Sequence, residues 1–212
     1  MADIQWFLRR SSIVLAAGLL LATAACSVQV DPSKDGKDKN VKVQTPFGNV
    51  QVKTNEMAAS DVGLPAYPGA TSITRREEKS GASDVQMAFG NWQMRLKVIK
   101  YHTPDSKDQV LTYYHKALGR YGDVVQCEGA KAVGAPAVTR QGLGCSEQDS
   151  GPHGSHSAVN ADASALLKAG SKKHQHLVSI DKSGGDGTDF SLVLLDLPAD
   201  EPPGKDEARE SN

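Results

Sequence analysis

Aromatic side chains are scarce: Phe, Trp and Tyr make up 5% of the 212 residues, little with which to line a deep apolar enzyme pocket. An excess of one charge is lacking too. The 24 Lys and Arg against 25 Asp and Glu leave a net charge of -1, which excludes a basic field for nucleic acid. No apolar run reaches the ~20 residues of a membrane-spanning helix. Nucleotide and nucleophile signatures are missing as well. There is no P-loop and no dinucleotide fingerprint, and Gly144-Cys145-Ser146-Glu147-Gln148 fails the nucleophile-elbow pattern at its last position. No catalytic residue and no cofactor is therefore expected. The length suits one domain with tails, or at most two small domains.

The first 25 residues have the organisation of an export signal. Arg9 and Arg10 form a positive start, residues 13–21 are an apolar run of signal length, and Ala22, Thr23, Ala24 and Ala25 lead into Cys26. Two cleavage readings follow. A small-x-small site at Ala22-Thr23-Ala24 would leave Cys26 as a thiol near the new terminus. Alternatively, Ala24-Ala25-Cys26 resembles the bacterial lipobox, which implies lipidation of the Cys26 sulfur, palmitate-type chains and a membrane anchor. Cysteine arithmetic favours the second. With three Cys, lipidation of Cys26 leaves Cys127 and Cys145 as an even pair for a disulfide in an oxidising compartment. One acyl chain holds only marginally, at about 0.8 kcal/mol per buried CH₂, but two or more anchor stably. By lipoprotein analogy, Ser27 after Cys26 permits sorting to an outer membrane in a diderm host.

Beyond the signal, residues 26–40 are polar and mixed in charge, and are expected to be a flexible tether. Residues 41–54 read as a β-hairpin: valines alternate with Lys and Gln on either side of Pro46-Phe47-Gly48-Asn49. An isolated hairpin is marginal in water, so it should dock on its own domain, a second copy or a protein partner. An α+β domain is expected over 62–198, an antiparallel sheet with one main helix on one face, followed by a disordered tail at 199–212. Strands are expected at 71–78, 85–89, 92–100 and then near 123–128, 137–145, 164–168, 174–181 and 189–197. The clearest is 92–100, where Trp92, Met94, Leu96 and Val98 alternate with polar neighbours. The helix lies in TPDSKDQVLTYYHKALGRYG. Asp105 is its expected N-cap, and Val110, Tyr114, Ala117, Leu118 and Tyr121 form its buried stripe.

Histidine is the one chemistry to weigh. His174 and His176 open a strand at i, i+2, which turns both rings to one face, a geometry usable by a divalent metal. His153 and His156 lie in a Gly/Ser loop and could add ligands, giving a metal-binding protein or small hydrolase as the alternative function. Two ligands do not make a site, and surface histidines beside Lys172 and Lys173 are the plainer reading. GGDGTD at 184–189 matches the start of a calcium nonapeptide. It lacks both the apolar residue, with Ser191 in its place, and a second copy, and so reads as a hairpin loop.

The run Tyr67-Pro68-Gly69-Ala70, then strands, then a D-S-x-x-x-V-x-x-[FY]-Y-x-x-x-L helix carried by Asp105, Ser106, Val110, Tyr113, Tyr114 and Leu118, resembles a module of uncharacterised bacterial lipoproteins and secreted proteins. The likeness spans about residues 62–198. It implies an α+β fold and an envelope address, and no activity. The expected function is an envelope lipoprotein acting as a non-catalytic binding or assembly module, with the hairpin at 41–54 as its protein-partner surface.

Overall fold

Period-two alternation dominates the chain and gives a sheet-based protein. A computed structural model describes residues 27–32, 39–54, 57–73, 81–145, 163–181 and 186–198. Its strands in chain order are β1 (Ser27–Pro32), β2 (Lys39–Thr45), β3 (Gly48–Thr54), β4 (Thr71–Ser72), β5 (Ala82–Phe89) and β6 (Trp92–Thr103). Helix α1 (Lys107–Leu118) follows, then β7 (Val125–Glu128), β8 (Lys131–Ala132), β9 (Ala163–Gly170), β10 (His174–Asp181) and β11 (Thr188–Asp196). Short 3₁₀ turns occupy Ala59–Val62 and Gly119–Tyr121. The strands form one antiparallel sheet in the order β1-β2-β3-β5-β6-β11-β10-β9-β7-β8, and β4 takes the place of β5 beside the far end of β6.

Residues directly opposite one another in antiparallel strands point to the same face, so the register sorts the side chains. On one face, Val110, Tyr114 and Leu118 of α1 pack on Leu167, Val178 and Phe190, all buried. Burying each such side chain contributes roughly 1.5–3 kcal/mol. The 3₁₀ turn Ala59–Val62 adds Ala59 and Val62 to this core. On the opposite face, Leu166, Leu177, Val193 and Leu195 are covered by Leu143, in the loop after β8. That face continues outward as two apolar rows. One is Val28–Val43–Val50–Met87–Met94, and the other is Val30–Val41–Val52–Val85–Leu96–Leu195.

The α+β architecture agrees with the sequence reading, and the hairpin at 41–54 forms as β2–β3. It docks on its own domain, through hydrogen-bonded pairing of β3 with β5. The clearest strand, β6, extends to Thr103, and β11 lies between β6 and β10 as an interior strand.

Three expectations are corrected. The tether expected over 26–40 contains a strand: Ser27–Pro32 pairs with Lys39–Gln44 along its length. Val28 and Val30 alternate with Gln29 and Asp31, and this short pattern is masked by the polar residues after it. The strand expected at 137–145 is a loop. Thr139 N–H donates to the Leu143 carbonyl, Leu143 N–H donates to Thr139 Oγ1, and Gly142 takes φ +82°, which closes a tight turn. Helix α1 is capped by Ser106, not Asp105. The Gln109 side-chain carbonyl accepts from both the Ser106 N–H and hydroxyl at 2.9 Å, and Asp105 accepts from Tyr67 instead. The signal at 1–25, Cys26, the later part of the 71–78 strand and the tail at 199–212 lie outside the described residues.

Candidate functional site

The helix-bearing face is apolar only beneath α1 and the Ala59–Val62 turn. Toward β1 it carries two polar rows that end at the histidine pair. Gln29, Lys42, Gln51, Gln86, Arg95, Asp196 and His174 stand directly opposite one another across β1, β2, β3, β5, β6, β11 and β10. The neighbouring row runs Asn40, Lys53, Asp84, Lys97, Leu194 and His176. This strip is the candidate functional surface. Its charges come from six strands and are aligned by register, with Asp84 and Arg95 meeting across the β5–β6 hairpin and Asp196 and Arg95 across strands distant in sequence.

Asp84 anchors the middle of the strip at 6% exposure. Arg95 grips it with two hydrogen bonds, Nε to Oδ1 at 3.0 Å and Nη2 to Oδ2 at 2.6 Å. Burial alone would raise the Asp84 carboxyl. The Arg95 hydrogen bonds and charge, with help from Gln86 and Lys97, outweigh that and hold it below its ordinary value. Lys97 reaches the other way and donates to the Asp61 carbonyl at 2.9 Å.

His174 and His176 share a face, with ring centroids 4.9 Å apart in a T-shaped arrangement. His174 is exposed, and its Nδ1 bonds the Asp196 carboxylate, its direct cross-strand neighbour. His176 is 3% exposed beneath Tyr121, whose ring stacks on it at 3.6 Å. Its Nδ1 lies 2.9 Å from the Val62 carbonyl. A carbonyl only accepts, so Nδ1 carries the proton and Nε2 is left as a lone pair. That Nε2 is buried with no hydrogen-bond partner among the described residues. Burial lowers the His176 pKa, and the charges of His174 and Arg120 lower it further against the Val62 hydrogen bond. Arg120 and the Tyr121 hydroxyl both donate to the Gly63 carbonyl, closing the roof over His176.

Among the described residues no group of three or more His, Cys, Asp or Glu is placed to hold a metal ion. His153 and His156 lie outside the described residues. Cys127 and Cys145 are disulfide-bonded, with Cα atoms 5.5 Å apart. The bond ties β7 to the Thr139–Leu143 turn. Inside it, Lys168 Nζ donates to the Gly144 carbonyl at 2.9 Å. Near the β10–β11 loop, Asp189 pairs with His102 at 2.6 Å, again directly across strands. The outer side of α1 presents an open groove between His115, Lys116, Asp108 and Gln126, with no nucleophile–base arrangement in it.

The residues of the YPGA and helix motifs converge structurally. Tyr67 makes edge contact with Tyr113 at 5.0 Å and with Phe190 at 6.0 Å. Tyr113 and Tyr114 donate to the carbonyls of Ala66 and Pro65. Asp196, Arg95, Asp84 and Tyr121 were not singled out from the sequence as site residues. Arg95 is legible as the polar half of the alternating strand at 92–100 and Tyr121 as part of the helix stripe, whereas Asp84 lies just before the strand expected at 85–89 and Asp196 near the end of an almost wholly apolar run. Compared with protein-family models, with curated proteins and with solved structures, the chain matches none.

Proposed function

We propose that the chain is a lipid-anchored envelope protein, tethered through Cys26, whose sheet is a non-catalytic binding or assembly module. The observation that carries this reading is the Cys127–Cys145 bond. It uses two of the three cysteines and leaves Cys26, at the end of a signal-like segment, as the one to be modified. The disulfide also favours an oxidising compartment. The polar strip supports binding over catalysis, because its strongest charges are engaged in structural pairs: Asp84 with Arg95, and Lys97 with a backbone carbonyl. The polar side of the β2–β3 hairpin, carrying Lys42, Gln51 and Lys53, is the surface for a protein partner. Intact mass of the mature protein extracted from its native membrane tests the reading. Acyl chains on an N-terminal Cys26 are expected, and an unacylated terminus elsewhere refutes it.

A second reading, a metal-binding protein, is favoured by one specific feature. Both histidines have Nδ1 engaged by an oxygen, Asp196 in one case and Val62 in the other, which is how metal-ligating imidazoles are oriented. His174 Nε2 would be the exposed ligand, and the Tyr121 ring would have to move for His176 Nε2 to join it, with water or a third group completing the shell. Metal analysis of untagged protein decides it: a stoichiometric ion that His174→Ala removes would establish this reading.

A further inference from the structure

Among the described residues, the apolar rows opposite the polar strip are half-buried from β2 to β6 and exposed at β1. Val28 and Val30, on β1, are 64% and 56% exposed. The covered cluster on this face ends at Leu96 and Val98 of β6, and includes none of the valines of β2 and β3. The remaining sequence has little to lay over them. Residues 33–38, 74–80, 182–185 and 199–212 contain no large apolar side chain, and 146–162 contain only Val159. The one other apolar run, residues 13–21, belongs to the segment that the signal reading removes. A half-buried apolar face that becomes exposed at its edge strand and at Phe47 marks a site of contact with protein or membrane.

We propose that this face rests on the phospholipid surface in which Cys26 is anchored, an inference that rests on the lipoprotein reading above. Two placements favour lipid over a second copy. First, β1 starts at Ser27, one peptide bond after Cys26, so no spacer separates the anchor from the sheet. The first strand and its neighbours are held at the bilayer surface by the covalent link, which supplies a high local concentration without a large interface. Second, the aromatic residues gather at the anchor end. Ser27 pairs with Gln44 beside the β2–β3 turn, where Phe47 is 83% exposed. Phe89 and Trp92 close the β5–β6 turn at that same end, facing each other across strands, on the apolar face, with ring centroids 5.8 Å apart. The Trp92 ring is half-buried, and its Nε1 is buried without a hydrogen-bond partner among the described residues. Three aromatic rings at one level beside an apolar face, with Phe47 largely outside the fold, match shallow insertion at the headgroup–acyl boundary. The polar strip then faces away from the membrane, toward a soluble partner.

Trp92 is the test. The sequence has two Trp, and Trp6 leaves with the signal, so the mature chain reports from this face alone. Acylated full-length mature protein is reconstituted into vesicles of phosphatidylethanolamine and phosphatidylglycerol, with and without brominated acyl chains. Shallow burial of about 5–10 Å predicts a blue-shifted Trp92 emission and about twofold quenching by the brominated lipid. Val28→Asp with Val30→Asp, both on the exposed edge strand, is expected to abolish quenching while the acyl chains still hold the protein on the vesicles. Phe47→Ser, which leaves every strand intact, should weaken it. Unquenched Trp92 in anchored wild-type protein overturns the inference. A blue shift that follows protein concentration rather than bromination also overturns it, in favour of a second copy. Intact mass separates the two levels: an unacylated Cys26 defeats the lipoprotein reading and this inference together, whereas an acylated but unquenched chain defeats only the inference.

Discussion

The phenol of Tyr67 donates to the Asp105 carboxylate over 2.7 Å, joining the YPGA turn to the residue just before the cap of α1. Burial, then the Asp105 hydrogen bond and charge, push the Tyr67 pKa from 10.0 up to about 12. Tyr67→Phe keeps the ring contacts and removes this bond, and is expected to cost about 1–2 kcal/mol by urea denaturation with an unchanged slope. A phenol whose pKa is raised on folding stabilises the fold below its unfolded value and loses that contribution as pH rises above it. The wild type should therefore lose stability as pH rises from about 10 toward 12, and Tyr67→Phe should lose less over that interval.

The disulfide should matter more. Cys127→Ala with Cys145→Ala frees the 18-residue loop that carries Leu143 over the second core, and a loss of about 3 kcal/mol is expected. Denaturation of the wild type with and without reductant should show a difference of the same size.

The Asp84–Arg95 pair makes a prediction of sign. With its pKa lowered, Asp84 stabilises the fold above the ordinary carboxylate value, and that contribution is lost as pH falls through the lowered one. In Arg95→Met the buried carboxylate loses its counter-charge, burial dominates, and its pKa rises. Its contribution then changes direction, with the fold losing stability as pH climbs from acid to neutral. Arg95 is partly exposed, so a cost of about 1–3 kcal/mol near neutral pH is expected rather than that of a fully buried pair. Denaturation midpoints for wild type and variant across the acid range measure both effects.

His176 is held neutral by burial, so its folded pKa lies below the unfolded value of 6.5. The unfolded chain takes up the proton first, and stability falls as pH drops below that value toward the folded one. His176→Gln should flatten the change in stability between about pH 7.5 and 5.5. An unchanged slope would show that the proton is taken up elsewhere.

What the sequence makes legible is what local pattern controls. Alternation in Trp92–Thr103 announces a strand, the spacing of Val110, Tyr114 and Leu118 announces a helix with one buried stripe, and the odd cysteine count isolates the bonded pair. The candidate site is hidden for the opposite reason. His174 and Asp196 are 22 residues apart, and His176 and Val62 are 114 apart, so their meeting depends on strand order and register, which no single segment encodes. The strand at Ser27–Pro32 is missed because six residues of alternation sit beside a polar stretch. The loop at 137–145 is mistaken for a strand because its turn is closed by a single Thr hydroxyl and a glycine.

The two ends of the sheet differ. Among the described residues, β8 finishes one end with only Lys131 and Ala132, a stub too short to template another chain, whereas β1 at the other end pairs with β2 on one side and presents the outer side of a six-residue strand. Endless head-to-tail growth needs two receptive borders, and the described residues offer one. Strand exchange at that border stops at a symmetric couple, so the architecture carries its own brake against fibre formation.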